Sequence, residues 1–260
     1  MTHVLLTGAS SGIGEAMAIH FSSLGWNITL AARREEKLHK LATQLESDNK
    51  DVKTFVRRVD LSNSDDCQAL VQDAQNALGP IDILINNAGI QFVEHAAGVT
   101  PERIDLLITI DLLSPLHLIH YVLPSMLERK LGTIVNVSSM AGLIPTPGMM
   151  HYNAAKAGLA AASESLRVEL KDSGVNVFTV YPGPVKSPME DIARQQFEES
   201  FSAKNAPTGD PMVLAKKIAI GIEKKKARLV YPSFYKASRY TRVFSQWVTN
   251  TFAPKLISKE

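Results

Sequence analysis

The sequence predicts an α/β protein, a doubly wound parallel sheet of about seven strands flanked by helices and folded as a single domain over residues 1–260. Three observations carry that reading. Short apolar runs alternate with longer segments of helical period, and a glycine-rich turn follows the first run directly. The 260 residues, 45% of them hydrophobic, can bury a sizeable core, and no repeat, low-complexity tract or linker divides them.

The elements follow in order. "HVLLT" begins at residue 3 as the first strand, and a helix runs from about Gly12 to Leu24. "NITLAA" is the second strand, with a helix over about Glu35 to Leu45; "KTFVRRVD" is the third, with a helix near Asp65 to Leu78; "IDILIN" is the fourth. Two long helical stretches, roughly 101–129 and 152–172, precede the strands "GTIVNVSS" and "NVFTVYP", and a seventh strand is expected at Arg228 to Tyr231. Alternation of this kind buries a parallel sheet between helices on both faces. Residues 184–210 break the rhythm: polar and bounded by prolines, they read as a lid-like insertion after a strand or as an ordinary surface helix.

Composition excludes several classes. With 28 basic against 26 acidic residues the net charge is +2, which gives nucleic acid no footprint. The charge is uneven, however, since the chain from Val213 onward holds eleven basic residues and two acidic ones. Cys67 is the single cysteine, so no intrachain disulfide and no multi-cysteine metal site is expected, and no metal is assigned. The first strand leaves no room for a leader, and the apolar stretch "IDLLITIDLLSPLHLIHYVL" carries Asp105, Asp111 and Pro115, as a core helix would. A cytoplasmic location is the expectation.

The chemistry starts in "TGASSGIG", where Gly8, Gly12 and Gly14 open the first helix. Glycines there let backbone approach a pyrophosphate, and the helix amino terminus offers free N–H groups. At the end of the second strand, "LAARREEKL" has Arg33 and Arg34 where an acidic side chain would take the ribose hydroxyls of NAD. NADP(H) is therefore expected, with Arg33 as the leading phosphate contact and Ser10 as a helper; a solvated helix start is the competing reading.

Tyr152 and Lys156 lie four positions apart, one helical turn, so phenol and ammonium rise from one face. A free phenol titrates near about 10, and an ammonium at roughly 4 Å favours the phenolate by up to about 4 kcal/mol. Such a phenol can exchange a proton with a carbonyl or alcohol oxygen near neutral pH, and the Ser139 hydroxyl can hold that same oxygen.

Together these motifs resemble the short-chain dehydrogenase/reductase family over nearly the whole chain, which implies a Rossmann fold, a nicotinamide cofactor and a homo-oligomer, dimer or tetramer. The resemblance places Ser139, Tyr152 and Lys156 at the catalytic positions, Ser139 thirteen residues before the tyrosine, with Ser138 as its structural neighbour. It implies cofactor contacts from Gly8, Ser10, Ser11, Gly12, Ile13 and Gly14 in the loop, from Asp60 and Leu61 in "VDLS", and from Asn87, Ala88 and Gly89 in "NNAG". Tyr152 and Lys156 would touch the cofactor too, as would Pro182, Gly183, Val185 and Ser187 of "YPGPVKSPM", with Ser187 where threonine is more usual. One position departs: Asp111 stands where many members have an asparagine that completes a catalytic tetrad. Three consequences are open: a relay through the backbone carbonyl survives, the carboxylate pairs with Lys156, or the residue caps a kink before Pro115.

The family places the loop "MAGLIPTPGMM" against the substrate, and Met140, Leu143, Ile144 and Met149, with Met189 beyond, make that wall apolar. An apolar or lipid-like carbonyl compound or secondary alcohol is thus expected, with core packing as the competing duty of the same side chains. The tail, about 233–260, sets Tyr240, Val243, Phe244, Trp247, Val248 and Phe252 at near-helical spacing beside Lys236, Arg239 and Arg242. That pattern suits peripheral membrane contact, a second subunit or a cover over the pocket. His95, His151 and Cys67 are read as surface or structural residues. The expected function is NADP(H)-dependent interconversion of a carbonyl and a secondary alcohol. The alternatives are a cofactor-binding regulator with decayed chemistry and a sugar-nucleotide epimerase or dehydratase, for which few residues remain to build a substrate domain.

Overall fold

The structure is a computed structural model that describes residues 1–197, 207–239 and 241–252, without the side chains of 238, 239, 242 and 252. Its strands are β1 (His3–Thr7), β2 (Asn27–Ala32), β3 (Thr54–Arg58), β4 (Ile83–Asn86), β5 (Gly132–Val137), β6 (Val175–Pro182) and β7 (Arg228–Tyr231). All are parallel, in the order β3-β2-β1-β4-β5-β6-β7. The central strands are largely apolar because both faces are covered, with His3, Thr7, Asn86, Asn136 and Thr179 as buried polar exceptions. One face packs on α1 (Gly12–Ser23), α2 (Glu35–Asp48) and α8 (Pro211–Glu223). The other packs on α3 (Ser64–Leu78), α5 (Ser114–Arg129) and the carboxyl end of α6 (Met150–Glu169).

The chain winds outward from β1 to β3, then returns to place β4 on the other side of β1. Loops leaving β1 and β4 therefore diverge, and a crevice opens between them. Thr7 clamps its floor: Oγ1 donates to Ile85 O (3.1 Å) and accepts from the N–H groups of Asn87 (3.0 Å) and Ala88 (3.1 Å). A buried polar chain holds the next strands in line, from Asn86 Nδ2 to Asn136 Oδ1 (2.8 Å) and from Asn136 Nδ2 to Ser163 Oγ (2.8 Å). Asn86 and Asn136 thus spend their amides on β4, β5 and α6, where a lone buried amide would be costly.

The long apolar stretch is a core helix in three pieces: α4 (Pro101–Ile108), one π turn (Thr109–Leu113) and α5. Leu107, Ile110, Leu118, Ile119, Val122 and Met126 are buried, whereas Leu106, Leu113 and Leu127 are exposed, so one face of the stretch packs inside the protein. The 184–210 insertion starts and ends together, because Lys186 N–H donates to Gly209 O (3.0 Å) and Gly209 N–H to Pro184 O (2.8 Å). It contains α7 (Pro188–Arg194), while residues 198–206 lie outside the described residues. The tail forms a 3₁₀ turn (Ser233–Arg239) and α9 (Arg242–Phe252), tied to the loop after β5 by Gln246 Nε2 donating to Pro145 O (3.2 Å). Tyr240 and residues 253–260 lie outside the described residues.

His3 is buried at the start of β1, with Nδ1 against Gly79 O (2.9 Å) and Nε2 against Thr29 Oγ1 (2.9 Å). That pairing fits a neutral ring, which donates through Nδ1–H and accepts at Nε2. Burial lowers its pKa, against the opposing pull of Gly79 O and the Asp82 carboxylate. The unfolded chain then binds the extra proton first, so stability falls as pH drops through about 6.5. Urea unfolding of the wild type and of His3→Gln between neutral and mildly acidic pH should show the steeper acid loss in the wild type.

Candidate active site

The crevice is built first by the loop from β1 to α1. Gly8 (φ 68°) and Gly12 (φ 58°) take left-handed backbone, and a Cβ on Gly14 would lie 2.1 Å from Gly8 O, so only glycine closes this turn. Ser11, the residue before α1, makes no side-chain cap, which leaves the first N–H groups of the helix for a ligand. Ile13 turns into the core and anchors the loop from below. Across the crevice, a Cβ on Gly12 would meet Ser187 Cβ at 3.2 Å, so the segment after β6 forms the opposite wall.

The two arginines divide. Arg34 lies over the loop, its guanidinium donating to Ser10 Oγ (2.8 Å and 3.1 Å), Ser10 O (3.3 Å) and Ser11 Oγ (2.6 Å). Arg33 instead joins Arg58 in the field of Asp60, whose carboxyl is held low first by the Ser62 N–H and then by these cations. The arginine that touches Ser10 is thus Arg34, while Arg33, the expected phosphate contact, lies toward Asp60. One residue of register decides which reaches the loop. Leu61 is buried and its carbonyl accepts from Ser114 Oγ, which ties this corner to α5.

Beyond β6, Pro182 O accepts weakly from Ser139 Oγ (3.5 Å), and Gly183 N–H donates to Tyr231 O (2.7 Å). The bridge to Gly209 runs through Pro184 and Lys186, which leaves the N–H of buried Val185 outside it. Ser187 Oγ accepts from Glu190 N–H (3.2 Å) as the cap of α7 and keeps its own proton for another partner.

Ser139, Tyr152, Lys156 and Asp111 converge from three segments: the loop after β5, α6 and the π turn. Tyr152 and Lys156 share the buried face of α6, with Nζ 5.7 Å from the centre of the phenol ring. Ser138 Oγ donates to Lys156 O (2.8 Å) and Lys156 Nζ to Val137 O (3.2 Å), which fixes α6 against the end of β5. Ser139 is extended, accepts from Ala141 N–H (3.1 Å) and lies against the phenol. Asp111 stands on the π turn, fully buried, with Oδ1 accepting from Ile90 N–H (2.7 Å) and Oδ2 3.1 Å from Lys156 Nζ. Of the three consequences left open by the sequence, the carboxylate pairs with the lysine. It does so at a π turn, the extra residue of which rotates this position inward.

Burial, opposed by Lys156, raises the Asp111 pKa. Burial alone would lower that of Lys156, but Asp111 and Tyr152 together carry it above its usual value. The phenol departs from the sequence expectation of a labile proton: in the protein without cofactor, burial raises the Tyr152 pKa, helped by Asp111 and Glu190, against Lys156 and Ser139. The ammonium pulls as expected, but desolvation and the paired carboxylate outweigh it.

Apolar side chains close around Tyr152: Val93, Leu107, Ala141, Met149 and Ala193 are buried there, with Phe92 and Phe197 at the edge. Of the expected substrate wall, Met149 belongs to this cluster. Met140 and Ile144, with Leu143, pack instead on Tyr181, Val230 and Tyr235, seating the loop on the sheet, and Met189 is largely exposed on α7. Sequence reasoning missed Val93, Phe92, Leu107, Ala193 and Glu190. Leu107 had a signal in the helical period of "PERIDLLI"; the others come from loops or from a short helix without one.

These features fit a nicotinamide dinucleotide: a glycine cradle that any Cβ would fill, an uncapped helix amino terminus and a Val185 N–H that takes no part in the bridge to Gly209 among the described residues. Such a crevice has the form of a nicotinamide-dinucleotide site, with a tyrosine, a serine and a lysine at its mouth.

Comparison with known proteins agrees. The family model for short chain dehydrogenase matches residues 2–198. A short chain dehydrogenase of Pseudocercospora fijiensis is 36% identical over 186 residues, which cover 70% of this chain and 59% of that protein. The 3-oxoacyl-[acyl-carrier-protein] reductase of Rickettsia prowazekii is 34% identical over 200 residues, 77% of this chain and 79% of that one. Among solved structures, a short-chain dehydrogenase from Sphingobium yanoikuyae in complex with NADPH superposes with TM-score 0.82 at 28% identity, covering 96% of this chain and 95% of that one. One from Burkholderia phymatum in complex with NAD has the same fold, with TM-score 0.83 at 22% identity, over 100% and 98%. The chain belongs to the short-chain dehydrogenase/reductase family.

Proposed function

We propose that this protein is an NADP(H)-dependent oxidoreductase that interconverts a carbonyl and a secondary alcohol on an apolar or lipid-like substrate. The observation that carries the reading is the convergence of Ser139, Tyr152 and Lys156 at the mouth of the glycine cradle, within an apolar wall. Reduced nicotinamide, when bound, supplies hydride to the carbonyl carbon. The residues do the rest. Ser139 donates a hydrogen bond to the carbonyl oxygen and orients it. Tyr152 gives that oxygen its phenolic proton. Lys156, held by Val137 O and Asp111, steadies the phenolate that remains. Val93, Leu107, Met149 and Ala193 exclude water and favour an apolar chain over a charged sugar or acid.

The intact convergence speaks against a regulator with decayed chemistry. NADP(H) is supported by the three cations Arg33, Arg34 and Arg58 at the carboxyl ends of β2 and β3. The same proposal makes the protein cytoplasmic and homo-oligomeric. It also sets α9 on an anionic membrane surface, which is supported by the exposure of Val243 (87%), Phe244 (63%) and Trp247 (57%) beside Lys236.

Tyr152→Phe should lose several orders of magnitude in turnover across a screen of ketones, aldehydes, quinones and fatty acyl carbonyls, with NADPH binding little changed; retained turnover would refute the assignment. Arg34→Ala should weaken NADPH about ten- to a hundredfold in a calorimetric titration, the loss of a charge-assisted contact, and leave NADH nearly untouched. Comparable rates with both cofactors in the unaltered protein would remove the argument for NADP(H). For the tail, the full chain should sediment with anionic vesicles and a chain ending at residue 232 should not.

A further inference from the structure

Lys156 and Asp111 are both almost completely out of water, 4% and 0% exposed, with Nζ and Oδ2 3.1 Å apart. Oδ1 has the Ile90 N–H, but Oδ2 has no hydrogen bond of good geometry within the described protein, so the ammonium is its main compensation. Gly89 makes the contact feasible: a Cβ there would come within 2.9 Å of Oδ2 and 3.3 Å of Nζ. The sequence, the π turn and a glycine have together placed a carboxylate against the ammonium meant to activate the phenol. A neutral amide at residue 111 would leave that ammonium's charge whole.

Resting on the reading above, we propose that Asp111 is a positioning residue that biases the site toward carbonyl reduction: by pairing with Lys156 it cancels most of the ammonium's pull and keeps Tyr152 a neutral proton donor. Reduction needs the phenol protonated, so the site is ready for it at neutral pH. Alcohol oxidation needs the phenolate as base, the form that the pairing of Lys156 with Asp111 disfavours. The charged groups facing the phenol are Lys156 on its own helix, Asp111 on the π turn and Glu190 on α7, with Ser139 donating from the loop. Two of these are carboxylates and one is a cation, so the local balance does not favour the phenolate. The upward direction of the Tyr152 pKa agrees. A unit charge about 6 Å away, at an effective dielectric of about 20, moves a phenol by about two pH units.

The test is a pH titration of Tyr152 itself, by NMR of tyrosine labelled at Cζ, with the signal assigned by its loss in Tyr152→Phe. The cofactor-free wild type should titrate at or above the free-phenol value of about 10, and Asp111→Asn should titrate one to two units lower. The alkaline onset of cyclohexanol oxidation with NADP⁺ should move down by a similar interval, while cyclohexanone reduction keeps its neutral optimum. A wild-type Tyr152 titrating below about 9 would overturn the proposal even if the variant failed to fold. So would equal midpoints in the two proteins, including the case in which the variant changes only the melting temperature. Absence of turnover in the whole substrate screen would count against the oxidoreductase reading alone, since the NMR midpoints still judge the role of Asp111.

Discussion

Two opposite charges held out of water constrain everything around them. The Lys156–Asp111 pair survives burial because each partner is the other's main compensation, and removal of one alone from such a pair costs roughly 3–5 kcal/mol. The pair in turn needs a π turn to rotate Asp111 inward, a glycine at residue 89 to leave room and the Ile90 N–H for the second carboxylate oxygen. It also needs Val137 O to take another ammonium proton. Four segments far apart in sequence therefore meet at one point. The same requirement orients Tyr152, since it and the lysine share one face of α6.

The parallel sheet supplies that precision. Its order places the loops after β1, β4, β5 and β6 around one crevice, and the hydrogen bonds of Thr7 with Ile85, Asn87 and Ala88 stop the two halves from separating at the switch point. The Asn86–Asn136–Ser163 chain does the same for β5 and α6, which carry the serine, tyrosine and lysine. Polar groups in the core are costly unless satisfied, and here the Nδ2 donors of Asn86 and Asn136 make bonds that also tie together strands ending in the site.

Charge is distributed by function. Cations gather at the ends of β2 and β3, where a dinucleotide's far end would lie, whereas beside Tyr152 the Asp111 carboxylate offsets the Lys156 ammonium. An unpaired ammonium would make the phenol acidic. Beside the pair, Val93, Leu107 and Met149 form a buried apolar wall around Tyr152, whose pKa burial raises.

Local pattern was enough for much of this. Seven apolar runs, the glycine spacing at Gly8, Gly12 and Gly14, and the one-turn interval between Tyr152 and Lys156 are readable because strand, turn and helix each impose a short period on neighbouring residues. The sequence by itself therefore determined the sheet, the dinucleotide cradle and the shared face of tyrosine and lysine. It also showed that Asp111 was unusual, but not what it touches. Tertiary structure alone decided that the carboxylate pairs with Lys156, that Arg34 is the arginine on Ser10 and that Met140 and Ile144 pack on Tyr181 while Met149 faces the phenol. Those outcomes depend on distances between residues tens of positions apart and on which charges lose their water, and no periodicity along the chain encodes either quantity.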